Sequence, residues 1–208
     1  MVDVTADESA APGALEQVRT FLNTWAVPND TRAPVDVLPV LAASQVRWAA
    51  ALPGLPSPGE GDGAAQSSAA DLARLRDELR RALGQSHPRS LAPVLGSVSW
   101  RVVLSGADDE EPLRVLPERL TTRTAILAAV VEAVAAGRWH RLRACPDCSW
   151  VFYDSSRNAR RTWCSMTAAN GARGCGSIAK TRAYRSRQRG SAPTPGARPE
   201  RGGDAPTP

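Results

Sequence analysis

The sequence predicts a mainly α protein with a small β-hairpin, in which a helical N-terminal domain is followed by a small, cysteine-bearing α+β unit. Three observations carry this reading. Apolar residues recur at three- and four-residue spacing in four segments of the first two-thirds of the chain. Aromatic residues are scarce, with six Trp, two Tyr and two Phe in 208 residues, so Ala, Leu and Val must fill the core, which suits small helices better than a large sheet. All four cysteines fall between positions 145 and 175.

Taken in order, residues 1–11 read as disordered and residues 12–137 as the helical domain. A first helix fits 14–25, where Leu15, Val18, Phe21, Leu22 and Trp25 share a face. A second fits 35–52, with Pro39 confined to its first turn. The Pro/Gly/Ser stretch LPGLPSPGEGDGAAQSS is a loop. The third helix, 69–83, is the clearest: Leu72, Leu75, Leu79 and Leu83 form a stripe, Arg76, Arg80 and Arg81 are expected to face away, Ser68 caps the start and Gly84 the stop. Two β-like runs, 97–104 and 113–116, flank the acidic turn GADDEE and predict the hairpin. A fourth helix, 122–136, carries Ile126, Val130 and Val134 on one face and ends at Gly137. Residues 138–189 form the second domain, and the Pro/Gly-rich tail 190–208 reads as disordered.

Charge divides along the same boundary. Residues 1–137 hold 12 Arg against 17 acids, a balance of −5. Residues 138–189 hold 11 Arg and one Lys against only Asp147 and Asp154, a balance of +10. Such asymmetry points to a polyanionic partner for the basic part. No apolar run approaches the ~18 residues of a membrane span. The N-terminus lacks the basic-then-apolar order of a secretory signal, and the expectation is a cytoplasmic protein whose cysteines stay reduced.

The cysteine spacing is C-x2-C-x15-C-x10-C: Cys145, Cys148, Cys164 and Cys175. A C-x2-C pair delivers two thiolates to one metal from a tight turn, and an interval of this length returns a second pair across a short hairpin, with a strand expected at 149–154. The predicted cofactor is one Zn²⁺. Four thiolates fill its tetrahedral shell and leave no place for a reactive water, so the metal is structural and the unit a treble-clef or ribbon-like zinc finger. No acid stands at a spacing suited to a catalytic base, no Gly-rich phosphate loop is present, and no nucleophile–base arrangement is supported, so the chain is not expected to be an enzyme.

The run CPDCSWVFYDSSRNARRTWCSM resembles the core of the CGNR-type zinc fingers. The matching positions are Cys145, Cys148, Trp150, Phe152, Asp154, Ser156, Arg157, Asn158, Arg161, Trp163, Cys164, Ser165 and Met166. In that family the finger follows a helical domain called ABATE, and FLNT at residues 21–24 is similar to a motif near the start of that domain. The resemblance implies a stress-induced transcriptional regulator. The chain departs from the pattern after Met166: either Asn170, Gly171, Ala172 and Arg173 replace the family's C-G-N-R, or Cys175 takes the fourth ligand position after an insertion. The second register restores the ligand and places Lys180 at the family's spacing.

Around the metal, Arg157, Asn158, Arg160 and Arg161 form a basic arm, and a helix over 177–188 carries Lys180, Arg182, Arg185 and Arg187. Cations on a small metal-fixed unit suit the phosphate backbone of double-stranded DNA, with Asn158 or an arginine able to reach a base edge. The competing reading is an interaction module that binds RNA or an acidic protein. Asp154 is expected to orient Arg157 or Arg161. In the N-terminal part, Asn23 and Thr24 are polar positions of an apolar helix. They fit a ligand pocket, a buried hydrogen bond or an exposed face, and sensing, homodimerisation and a plain structural role are all open for that part.

Overall fold

The computed structural model describes residues 10–59, 67–104, 113–165 and 174–190. The two expected disordered ends, apart from a few flanking residues, and the tip of the GADDEE turn lie outside them. Among the described residues the architecture is mixed: seven helices and three two-stranded antiparallel ladders, two of them where hairpins are expected and one, early in the chain, that is not.

Helix α1 (Leu15–Leu22) buries Leu15, Val18, Phe21 and Leu22, as its spacing requires. The chain then extends into β1 (Trp25–Ala26), which pairs with β2 (Val35–Asp36). The single helix expected over 35–52 is therefore three pieces: β2, α2 (Leu38–Ala42) and α3 (Gln45–Ala51). Pro39 occupies the first turn of α2, the one place in a helix where its missing N–H costs nothing. Ser44 is extended, at φ −148° and ψ 115°, and its hydroxyl accepts from the Arg47 amide, starting α3 afresh. Local capping here overrides apolar periodicity.

Helix α4 (Ala69–Arg81) begins with a reciprocal cap between Ser68 and Asp71 and buries Leu72, Leu75 and Leu79. Its arginines do not all face away. Arg76 is 3% exposed and forms a two-pronged pair with Asp36, 2.7 Å on each arm, while also donating to Thr24 Oγ1 at 3.0 Å. Arg80 is half-buried against the Trp25 ring, and burial brings its pKa down to about 10, still charged at neutral pH. Of the three, only Arg81 is exposed.

Short α5 (Ala92–Gly96) leads into the expected hairpin, β3 (Trp100–Leu104) against β4 (Leu113–Pro117), in the register Val102 opposite Val115. Helix α6 (Thr122–Ala135), capped by Thr121 and Thr124, runs through the core with Ile126, Leu127, Val130 and Ala133 buried. It ends at Gly137, whose φ of 65° is the left-handed conformation that glycine adopts without strain. A helical turn at Trp139–Arg141 then feeds β5 (Leu142–Ala144) and its partner β6 (Val151–Tyr153), and α7 (Cys175–Gly190) follows.

The apolar core gathers residues of α1, α3, α4 and α6 and does not stop at residue 137. Trp139, Leu142 and Val151 belong to it, and the Trp139 indole donates to the Ala82 carbonyl at 3.0 Å. A second, smaller cluster holds Cys145, Cys148, Phe152 and Cys175, with Trp163 and Cys164 against it. Strand alternation accounts for the split: Val151 and Tyr153 turn to the helices and Phe152 to the cysteines.

Candidate metal centre

The metal site is assembled from three places. Between β5 and β6 the chain makes a tight turn in which the Cys145 amide donates to Trp150 O at 2.9 Å and the Ser149 amide to Cys145 O at 2.9 Å. Ser149 takes a φ of 59° to close it. This turn presents Cys145 and Cys148, the loop after β6 brings Cys164, and Cys175 opens α7.

The four Sγ atoms all lie within 4.8 Å of one another, with Cys148 to Cys164 and Cys164 to Cys175 each 3.5 Å. A tetrahedron with zinc–sulfur arms of about 2.3 Å has edges of about 3.8 Å, so the donor set fits the ion expected from the spacing. Four thiolates this close repel one another, and without a cation the cluster retains protons. Hydrogen bonding to Cys145 pushes the Cys148 thiol up to about 12, and contact with Cys145 and Cys148 raises Cys164. The set is thus a site for one structural zinc ion. Cys175 joins the other three, the arrangement demanded by the insertion register. Residues 166–173, which hold the rest of that insertion and the alternative Asn170–Arg173 match, lie outside the described residues.

The loop following β6 is fixed by buried polar groups. Asp154 is fully buried and accepts from the Ser156 amide (3.0 Å), the Ser156 hydroxyl (2.5 Å) and the Arg161 amide (2.7 Å). Burial alone would raise its pKa, but these hydrogen bonds outweigh it and hold the carboxyl below its ordinary range. From β5 and the turn before it, Arg141 donates to the carbonyls of Asp154 and Ser156, both at 2.9 Å, and Arg143 to that of Ala159 at 2.8 Å.

The expected nucleic-acid residues fall into two groups. Arg157, Asn158 and Arg160 are exposed on this loop, and Lys180, Arg182, Arg185 and Arg187 are exposed along α7. Arg161 departs from the expectation: it is half-buried, donates to the carbonyls of Trp163 and Cys164, and lies 5.2 Å over the Phe152 ring. It builds the site rather than extending from it. Arg182 also donates to Asp147 Oδ1 at 2.8 Å.

Asn23 and Thr24, the candidate pocket residues, are both engaged in hydrogen bonds within the protein. Asn23 donates to Val151 O at 2.8 Å and accepts from Val151 N at 2.7 Å. Thr24 donates to Phe21 O at 2.8 Å and accepts from Arg76. A cleft of about 610 Å³ opens elsewhere, bordered by Asp71, Arg74, Glu78, Glu118, Arg119 and Thr124, and neither Asn23 nor Thr24 lines it.

Sequence reasoning missed the residues that join the helical part to the finger. The Val27 amide donates to Cys148 O at 2.9 Å, Arg80 to Ser149 O at 2.5 Å, and the Gly84 amide to Leu142 O at 2.9 Å. Asn29 reaches the sulfur of Cys175, and Arg32 reaches Asp147. In the sequence only the Pro28-Asn29-Asp30 turn signal marks this region, and it does not say what the turn touches.

The sequence profile of the CGNR zinc finger matches residues 141–188, which span the metal centre and nearly all of α7. The match speaks for the finger alone. No curated protein matches the chain. No helix among the described residues is long and apolar enough to cross a membrane.

Proposed function

We propose that the protein is a DNA-binding transcriptional regulator in which zinc folds the contact surface and the helical part senses a signal or dimerises. The observation that carries the reading is the fixed display of cations. Arg157, Asn158 and Arg160 stand on a loop locked by Asp154, Arg141 and Arg143, and α7 carries further exposed cations. A loop backbone held in place loses little conformational entropy on meeting phosphates, and each neutralised phosphate releases counterions. The metal is structural in this reading and the protein is not an enzyme. It acts in the cytoplasm as a stress-responsive regulator, with residues 12–137 as an ABATE-like domain and the FLNT motif as its start.

The test is competition among a selected duplex, random duplex and single-stranded RNA in one salt buffer. With ~4–6 phosphates neutralised, log K falls with log salt at a slope of about −4 to −5. Arg187→Ala weakens every duplex alike and reduces that slope by about one. Asn158→Ala costs ~1–3 kcal/mol on the preferred duplex and little on random DNA. Equal affinity for all duplexes, with equal or tighter RNA binding, would replace this reading by an RNA- or protein-docking module.

A further inference from the structure

The zinc ligands do not stand alike. Cys145 and Cys148 are held by the main-chain bonds of their turn. Cys175 arrives after a ten-residue interval, and its sulfur meets a donor from the other end of the chain: Asn29 Nδ2, 2.9 Å away and 146 positions earlier in the sequence. The Asn29 carbonyl oxygen accepts in turn from Arg32 at 3.2 Å, and the same guanidinium nitrogen reaches the Asp147 carbonyl at 2.8 Å and its carboxylate at 3.3 Å. Asp147 Oδ1 also receives Arg182 of α7 at 2.8 Å. Arg32 holds φ at 55°, a conformation costly for a residue with a Cβ, and one that persists only where surrounding contacts over-determine it.

We propose that Asn29 is an outer-shell partner of the zinc, so that residues 27–32 of the helical part belong to the metal centre and govern how fast the ion leaves. An N–H directed at a thiolate stabilises its negative charge, and a sulfur that leaves the metal must also give up this bond, so the bond slows loss of Cys175. That ligand sits at the first residue of α7, outside the turn that holds Cys145 and Cys148, so this side-chain donor ties it to the helical part. The inference concerns the metal alone and stands or falls apart from the DNA reading.

The experiment uses the full-length zinc-loaded protein, with Asn29→Ala, Asn29→Asp and, as a control distant from the sulfur, Arg157→Ala. Zinc transfer to a chromophoric chelator gives the release rate, and the Co²⁺-substituted protein gives the thiolate-to-metal charge-transfer band. Asn29→Ala should release zinc about tenfold faster, the scale on which outer-shell partners act, and move the band to lower energy. Asn29→Asp keeps the shape and the acceptor for Arg32 but sets a carboxylate against the sulfur, and should release faster still. If Asn29→Ala does not fold, the isosteric Asp variant alone decides. Release within twofold of wild type overturns the proposal. So does faster release with an unmoved band, since that would mean the turn acts by packing and not through the hydrogen bond.

Discussion

The side-chain amide of Asn23 pairs in both directions with the main chain of Val151, donating at 2.8 Å and accepting at 2.7 Å, so that the end of α1 serves as a one-residue strand beside β6. Asn23→Ala strips two partners from a buried strand. It should cost about 1–3 kcal/mol in denaturant unfolding. Asn23→Asp keeps the acceptor for the Val151 amide but sets a carboxylate oxygen against the Val151 carbonyl, and should cost at least as much.

Metal removal should act regionally. Each chain should carry one zinc ion, and Cys175→Ser should lower metal content about as much as Cys148→Ser. On chelation, hydrogen exchange should accelerate first across residues 154–165 and α7. The amides of β5 should stay protected longer, because Leu142 packs in the helical core. Acidification should release the metal, since protons compete with it for the thiolates.

The shared core sets limits on dissection. A fragment ending at residue 137 loses Trp139, Leu142 and Val151, while one beginning at 138 exposes them. Both fragments should be less soluble and less cooperative in unfolding than the full chain, measured by sedimentation and thermal circular dichroism.

The pair between Arg76 and Asp36 makes a pH-dependent contribution. The hydrogen bond from Arg76 is the largest influence on Asp36 and holds its folded pKa below the ordinary 3.8. The contribution is therefore complete above about pH 4 and is lost as pH falls through the lowered value. Arg76→Met should cost about 2–3 kcal/mol at neutral pH, at the low end for a broken buried pair because Asp36 is partly solvated. The gap between variant and wild type should narrow in acid.

Arg161 and Arg157 should separate by phenotype. Arg161→Ala frees the Trp163 and Cys164 carbonyls and should lower both thermal stability and zinc retention. Arg157→Ala, on the exposed part of the same loop, should leave both unchanged and lower only affinity for polyanions.

Much of the site is legible in the sequence because its rules are local. Cysteine spacing alone identifies the four ligands, and Ser68, Thr121 and Gly137 mark helix ends with chemistry that acts over three or four residues. What escapes is long-range pairing of polar groups. Arg76 looks like a solvated charge until Asp36, forty positions away, is folded against it. The break at residues 37–44 escapes for a different reason: the caps that end α2 and restart α3 at Ser44 act locally, within a segment that is apolar on both sides of them. The mixed architecture beyond the expected hairpins comes from β1–β2, a ladder of two residues that is too short to leave an alternating pattern.

Helix α7 is a lever whose pivot is its first residue. Cys175 is buried at the metal, Arg182 is braced on Asp147, and residues 183–188 project into solvent. At 1.5 Å per residue, Arg187 stands about 18 Å along the axis from the pivot. A load applied at the outer end is thus multiplied into torque at the seating of the helix, where the ion, Asn29, the Arg182–Asp147 pair and the bond from the Gly176 amide to Ser165 O resist it. The stiffness of the arm's seating is consequently in part a property of the metal's grip, and whatever loosens that grip widens the arc through which the outer arginines swing.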